Sequence, residues 1–186
     1  MVYAIASGEK RDLYELTKSL EYASYKSKPA LTYAILDVDE MTEINRKFGD
    51  DIGNLILGEI RKLAGQILER PRIARPTQEN MYTAGDQFII TLGYTGQKST
   101  ESMNKLVETI REHAAKNVYD RLCQAIAEPP KTWQKLQTEK IRVSIGYVQM
   151  EDMISNEETA KTTRKTALNR LRRAKIRGGG LAIGMN

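Results

Sequence analysis

The sequence predicts a mixed α+β fold, an α/β sandwich in which a mostly antiparallel sheet is covered by helices. Three observations predict it. Leu31–Val38 reads LTYAILDV, a nearly continuous apolar run that suits a central strand buried on both faces. Met81–Leu92 reads MYTAGDQFIITL, a Gly-Asp turn between two apolar arms, which is a hairpin pattern. Around these two segments the periodicities follow the order helix, strand, two helices, hairpin, helix, strand, helix, a mixture that lays helices on a sheet.

The elements follow in chain order. From Arg11 to Ala23, the residues Leu13, Leu16, Leu20 and Ala23 recur at helical spacing, and Lys-Ser-Lys-Pro then breaks the helix. The central strand comes next. Met41, Ile44 and Phe48 predict a short helix ending at Gly49. A second helix begins near Ile52 and carries Leu55, Ile56, Ile60, Leu63, Ala64, Ile67 and Leu68 into the core. Pro71 and Pro76 mark a loop, and Asn80–Thr83 and Phe88–Leu92 form the hairpin arms. A helix from Glu101, with Leu106, Val107 and Ile110 in step, continues in pieces to Ile126 before Pro129-Pro130. Lys140–Met150 predicts a strand, Glu158–Ile176 a basic helix, Gly178–Gly180 its stop, and Leu181–Ile183 a short last strand.

Composition narrows the function classes. With 186 residues the chain supports a single domain, 1–186, with a substantial core. Hydrophobic residues make up 40% and charged residues 28%, and no apolar run approaches the ~20 residues of a membrane span. The start, Met-Val-Tyr-Ala-Ile-Ala-Ser-Gly-Glu-Lys, lacks a basic segment followed by a long apolar stretch, so the expected compartment is the cytoplasm, with no membrane partner. One cysteine, Cys123, and one histidine, His113, exclude a zinc site of the usual Cys/His kind. The net charge of +5 gathers near the C-terminus in Lys161, Arg164, Lys165, Arg170, Arg172, Arg173, Lys175 and Arg177. Such a face is either solvated or anion-binding. With one Trp and two Phe there is no aromatic platform for bases, and no stable nucleic-acid partner is expected.

The chemistry-bearing residues lie at two strand ends. The central strand delivers Asp37 and Asp39 to its C-terminal edge, and the hairpin turn carries Asp86. Singly, a Gly-Asp turn is a common hairpin and an Asp-x-Asp after a strand is a loop start or helix cap. Carboxylates on two neighbouring strands, however, form an oxygen-donor site for a hard cation. Mg²⁺ keeps several waters and is usually held by one or two carboxylates together with substrate phosphates, which points to nucleotide chemistry.

Three separated motifs now coincide in order: Leu36-Asp37-Val38-Asp39 with Ile44-Asn45 and Gly49 after it, Ala84-Gly85-Asp86-Gln87-Phe88, and Val143-Ser-Ile-Gly146. Over nearly its whole length the chain resembles a GGDEF-type palm domain. That palm is shared by diguanylate cyclases, by the polymerase-like large subunit of type III CRISPR complexes and by the free-standing minimal CRISPR polymerases (mCpol), which the chain resembles most. The resemblance implies a polymerase-palm fold with a ferredoxin-like core. It implies that Asp37, the Val38 carbonyl and Asp86 hold the catalytic Mg²⁺ or Mn²⁺ ions, and that backbone groups of Glu40, Met41 and Thr42 hold the β and γ phosphates. It further makes Lys175 the phosphate lysine, puts Gly85 and Gln87 at the nucleotide, and places Asn45 and Asn54 where diguanylate cyclases read the base. Asn45 also reads as a cap, and Asn54 as an exposed helix residue.

Departures from the family pattern sharpen these expectations. Diguanylate cyclases carry an acid at the position of Asn54, suited to the two donors of guanine; Asn offers one acceptor and one donor, which suits adenine. The product-inhibition pattern survives only as Arg75 with Gln78. Gln87 replaces a second acid and cannot act as a base, a role that falls to Asp39. The expected function is therefore synthesis of a cyclic oligonucleotide, a cyclic di-adenylate made from ATP, by a homodimer in antiviral defence signalling, through two-metal in-line attack with loss of pyrophosphate. The alternatives are an atypical diguanylate cyclase that uses GTP, and a palm that binds a nucleotide or protein without turnover.

Overall fold

The computed structural model describes residues 31–74, 86–126, 128–150 and 157–184. The predicted helix Arg11–Ala23, the hairpin arm Asn80–Thr83, Gly85, Arg75 and Gln78 lie outside the described residues. The elements are β1 (Leu31–Val38), α1 (Met41–Phe48), α2 (Asp50–Ile67), β2 (Arg72–Ala74), β3 (Gln87–Leu92), α3 (Gly96–Ala125), a 3₁₀ helix (Lys131–Gln137), β4 (Val143–Met150), α4 (Glu157–Ile176) and β5 (Ala182–Ile183).

The five strands form one sheet in the order β2-β3-β1-β4-β5. β1 runs antiparallel to both β3 and β4, β2 is antiparallel to β3, and only β5 lies parallel to its neighbour. All eight residues of β1 are buried, as a strand covered on both faces must be. Its alternation divides the core. Ala34, Leu36 and Val38 face α1, α2 and α3 together with Ile56, Ile60, Leu106 and Ile110. Leu31, Tyr33 and Ile35 face the opposite side with Ile89 and with Ala167 and Leu171 of α4. Each fully buried Leu or Ile side chain contributes about 1.5–3 kcal/mol. Within this apolar strand the polar Thr32 donates to the Tyr94 carbonyl at 2.6 Å and meets Ser99 Oγ at 2.8 Å, which ties β1 to the start of α3.

Gly146 sets how closely α4 approaches the sheet. A Cβ at this position would meet the Ala167 carbonyl oxygen, the Leu171 nitrogen and, at 2.9 Å, the Leu171 Cα, all backbone atoms of α4. Only glycine admits the helix at this depth. On the other face, Glu59 of α2 is fully buried; across the α2–α3 contact its Oε1 accepts from Asn117 Nδ2 at 2.9 Å, and its Oε2 is ion-paired with Arg121 at 3.0 Å.

The structure differs from the sequence reading in five places, the smallest being that β4 begins at Val143, where pairing with β1 starts, and not at Lys140. β2 occupies Arg72–Ala74, where Pro71 and Pro76 predicted only loop; three residues between prolines are too short for periodicity to register, and pairing with β3 creates the strand. Leu55, predicted in the core, is exposed, since the buried stripe of α2 runs through Ile52, Ile56, Ile60 and Leu63. α3 is one unbroken helix of 30 residues that begins at Gly96. Lys131–Gln137 forms a 3₁₀ helix that buries Leu136. Among the described residues no helix is long and apolar enough to cross a membrane.

Candidate active site

The register at the C-terminal end of β1 aligns three polar residues. Asp37 lies opposite Gln87 on β3 and opposite Ser144 on β4. As directly paired residues on neighbouring strands they share one face of the sheet, the face on which α4 packs. Asp37 is 4% exposed. Its Oδ2 accepts a hydrogen bond from Gln87 Nε2 at 2.8 Å, and its Oδ1 is ion-paired with Lys175 Nζ near the end of α4. A buried carboxylate demands such partners, because desolvation without them costs several kcal/mol.

Asp86 sits immediately before β3, where its backbone carbonyl accepts the Val38 amide at 3.3 Å. This link brings the Asp86 backbone to the end of β1, next to the Asp37–Gln87 pair. Asp37, Asp86 and the Val38 carbonyl supply only oxygen donors, the set that Mg²⁺ or Mn²⁺ takes. Among the described residues no three acidic, histidine or cysteine side chains converge to hold an ion. Two carboxylates and a carbonyl are donors compatible with a cation whose remaining positions are filled by water and substrate phosphate.

Glu40 turns the chain from β1 into α1 with a left-handed backbone, φ 57°, and its carbonyl accepts the amides of Glu43 and Ile44. The first-turn amides of Met41 and Thr42 have no partner within the helix, and they point out of its positive end. Asn45 on α1 lies against α2, and its Oδ1 occupies the space that a side chain on Gly53 would fill. Asn54 is exposed on α2. Neither asparagine is hydrogen-bonded to the Asp37 row among the described residues. Gly85 lies outside the description.

Asp39 takes a different place from Asp37. It is 9% exposed, and both of its oxygens accept from Ser144 Oγ, at 2.8 and 3.1 Å, while Oδ2 also accepts the Gly180 amide at 2.9 Å. Its own amide donates to the Arg142 carbonyl. Arg142 in turn pairs with Glu40 at 3.0 Å and donates to the Gly178 carbonyl at 3.2 Å. An open groove of about 240 Å³ beside Asp39 and Glu40 is lined by apolar Ile44, Phe48 and Ile141 and by charges of both signs, Glu43 and Glu139 as well as Arg46, Lys47, Lys140 and Arg142.

Ser144, Arg142 and Gly180 are the residues that sequence reasoning missed. Ser144 carried a signal: it is the one polar side chain between Val143 and Ile145 in an apolar strand, and a buried hydroxyl needs a partner. Arg142 and Gly180 meet Asp39 and Glu40 only through the fold.

A sequence profile described as "Diguanylate cyclase, GGDEF domain" matches residues 12–121. None of the curated proteins matches the chain. Among solved structures, a microbial GGDEF domain studied with cyclic di-GMP is similar at TM-score 0.64 and 18% identity, with 92% of each chain covered. The GGEEF domain of a diguanylate cyclase from Vibrio cholerae is similar at TM-score 0.60 and 21% identity, with 90% of each chain covered. The diguanylate cyclase SiaD from Pseudomonas aeruginosa, in complex with its activator SiaC, is similar at TM-score 0.62 and 20% identity. There the match covers 95% of this chain but only 58% of SiaD.

Proposed function

Because this chain belongs to the diguanylate cyclase GGDEF domain family, we propose that it is a nucleotide cyclase that joins two purine nucleoside triphosphates into a cyclic dinucleotide, releasing two pyrophosphates. The observation that carries the proposal is the grouping at the end of β1: Asp37, held by Gln87 and Lys175, with Asp86 hydrogen-bonded through its backbone to Val38.

Asp37, Asp86 and the Val38 carbonyl would hold Mg²⁺ or Mn²⁺, which when bound neutralises the triphosphate and makes a ribose hydroxyl a better nucleophile. Lys175, a half-exposed ammonium on the last helix, binds a phosphate oxygen as a point charge. The Met41 and Thr42 amides receive the terminal phosphates at the positive end of α1. Asn45 and Asn54 meet the base. Gln87 orients Asp37 through its amide and supplies no base. The chain acts as one catalytic domain, 1–186, in the cytoplasm, and two copies each present one nucleotide to the other.

For the base, family membership supports GTP and a cyclic di-GMP product, and this reading comes before the adenylate one expected from sequence. A second reading rests on Asn54: an exposed amide with one acceptor and one donor matches adenine. That reading carries with it the ATP-derived product and the defence-signalling role of the minimal polymerases.

The test incubates pure protein with Mg²⁺ and GTP, ATP or both, and identifies products by mass spectrometry, with Asp86→Ala as the control. Cyclic di-GMP lost in the control supports the first reading and a cyclic adenylate the second. Nucleotide binding without product would refute synthesis and leave a binding module.

A further inference from the structure

The glycine turn after α4 is gripped from two sides. Asp39 accepts the Gly180 amide at 2.9 Å, and Arg142 donates to the Gly178 carbonyl at 3.2 Å. Gly178, Gly179 and Gly180 all have positive φ, 100°, 73° and 66°, a run that only glycine follows without strain. At Gly179 a side chain is excluded a second time, because its Cβ would stand 2.5 Å from Asp39 Oδ2. The turn also closes α4: the Gly178 amide donates to the Lys175 carbonyl at 3.0 Å and the Gly179 amide to the Ala174 carbonyl at 3.1 Å. The residue whose ammonium reaches Asp37 is thus fixed at its backbone by the turn that Asp39 holds.

From this geometry we infer that Asp39 is a positioning residue: with Ser144 it clamps the Gly178–Gly180 turn onto the end of β1, and so aims Lys175 at the Asp37 site. Asp39 has the hydrogen-bonding to do this. Ser144 Oγ reaches both of its oxygens and fixes the carboxylate plane, so that Oδ2 faces the Gly180 amide. Ser144 is itself fixed, because it is the β4 residue paired with Asp37. One strand pair therefore sets both the acid of the site and the anchor of its lysine. The inference rests on the reading of Asp37 and Lys175 given above, and it removes Asp39 from the candidate metal ligands and bases.

The test compares Asp39→Ala, Asp39→Asn, Ser144→Ala and Lys175→Ala. Hydrogen exchange, followed by mass spectrometry over residues 174–183, reads the clamp directly. Binding of non-hydrolysable GTP and ATP analogues, followed by calorimetry, reads its effect on the site. Asparagine can still accept the Gly180 amide and donate to Ser144 Oγ, so a positioning role is rescued by Asp39→Asn, whereas a ligand or base loses the charge it needs. Expected are faster exchange in Asp39→Ala, a smaller rise in Ser144→Ala and near-normal protection in Asp39→Asn. Analogue binding should weaken roughly tenfold or more in Asp39→Ala and in Lys175→Ala, with no further loss when the two are combined. Should Asp39→Ala not fold, Ser144→Ala with Asp39→Asn carries the comparison. Unchanged exchange in Asp39→Ala, an Asp39→Asn as impaired as Asp39→Ala, or additive losses with Lys175→Ala would each overturn the inference. Wild-type protein that binds neither analogue would defeat the nucleotide reading instead, and the exchange comparison alone would then decide the clamp.

Discussion

Gly146→Ala should damage both the fold and the site through a single collision. The added methyl would sit 2.9 Å from Leu171 Cα and closer still to the Ala167 oxygen and Leu171 nitrogen. Ordinary carbon contacts lie at about 3.5–4.0 Å, so α4 must retreat by on the order of 1 Å. Overpacking typically costs about 1–3 kcal/mol, and this case belongs at the upper end because helix backbone cannot rotate aside as a side chain does. Retreat would also loosen Ala167 and Leu171 from Leu31, Tyr33 and Ile35. A loss of about 3 kcal/mol corresponds to a melting temperature lower by roughly 6–12 °C for a chain of this size. Lys175 lies one helical turn beyond Leu171 and moves with it, and a misplacement of that size costs on the order of 100-fold in rate. Urea denaturation followed by circular dichroism measures the first effect and product formation the second. The control is Gly65→Ala, on an exposed stretch of α2 with nothing within 4 Å, which should stabilise by about 0.5–1 kcal/mol. A Gly146→Ala protein within about 0.5 kcal/mol of wild type would refute the packing argument.

Other substitutions probe other parts of the molecule. Arg121→Ala leaves the buried Glu59 carboxylate with Asn117 and the more distant Lys62, and should cost about 1–2 kcal/mol in urea unfolding, less than a wholly buried pair because Arg121 is half-exposed. A change too small to measure would mean that water replaces the guanidinium. Asn54→Asp should move substrate preference toward GTP by about tenfold or more, read from competing ATP and GTP in one reaction; an unchanged ratio would detach Asn54 from the base. Gln87→Glu sets a second carboxylate against Asp37 in place of an amide donor, so Mn²⁺ should bind more tightly and raise the melting temperature more than it does for wild type. Equal Mn²⁺ responses in the two proteins would place the cation away from this pair.

How much of this was legible beforehand depends on whether the signal was local. β1 was readable because burial on both faces leaves a continuous apolar run, and α1 and α2 because one buried stripe repeats at helical spacing. Asp37 and Asp86 were readable because a strand end and a turn fix where such acids stand, whatever the rest of the chain does. Leu55 was misjudged for the matching reason: an apolar residue beside the stripe looks the same in sequence as one within it.

The sequence by itself determined the layered α+β fold, the central strand, the family and the carboxylates at the strand ends, since each is written in neighbouring residues and their periodicity. Only the tertiary structure decided that Gln87 donates to Asp37, that Lys175 reaches it from the last helix, and that Asp39 turns to Ser144 and Gly180. Asp37 and Asp39 are alike in sequence and two residues apart. Their different partners come from β3, β4 and the turn after α4, segments that meet only when strand register and helix packing bring them to one edge of the sheet.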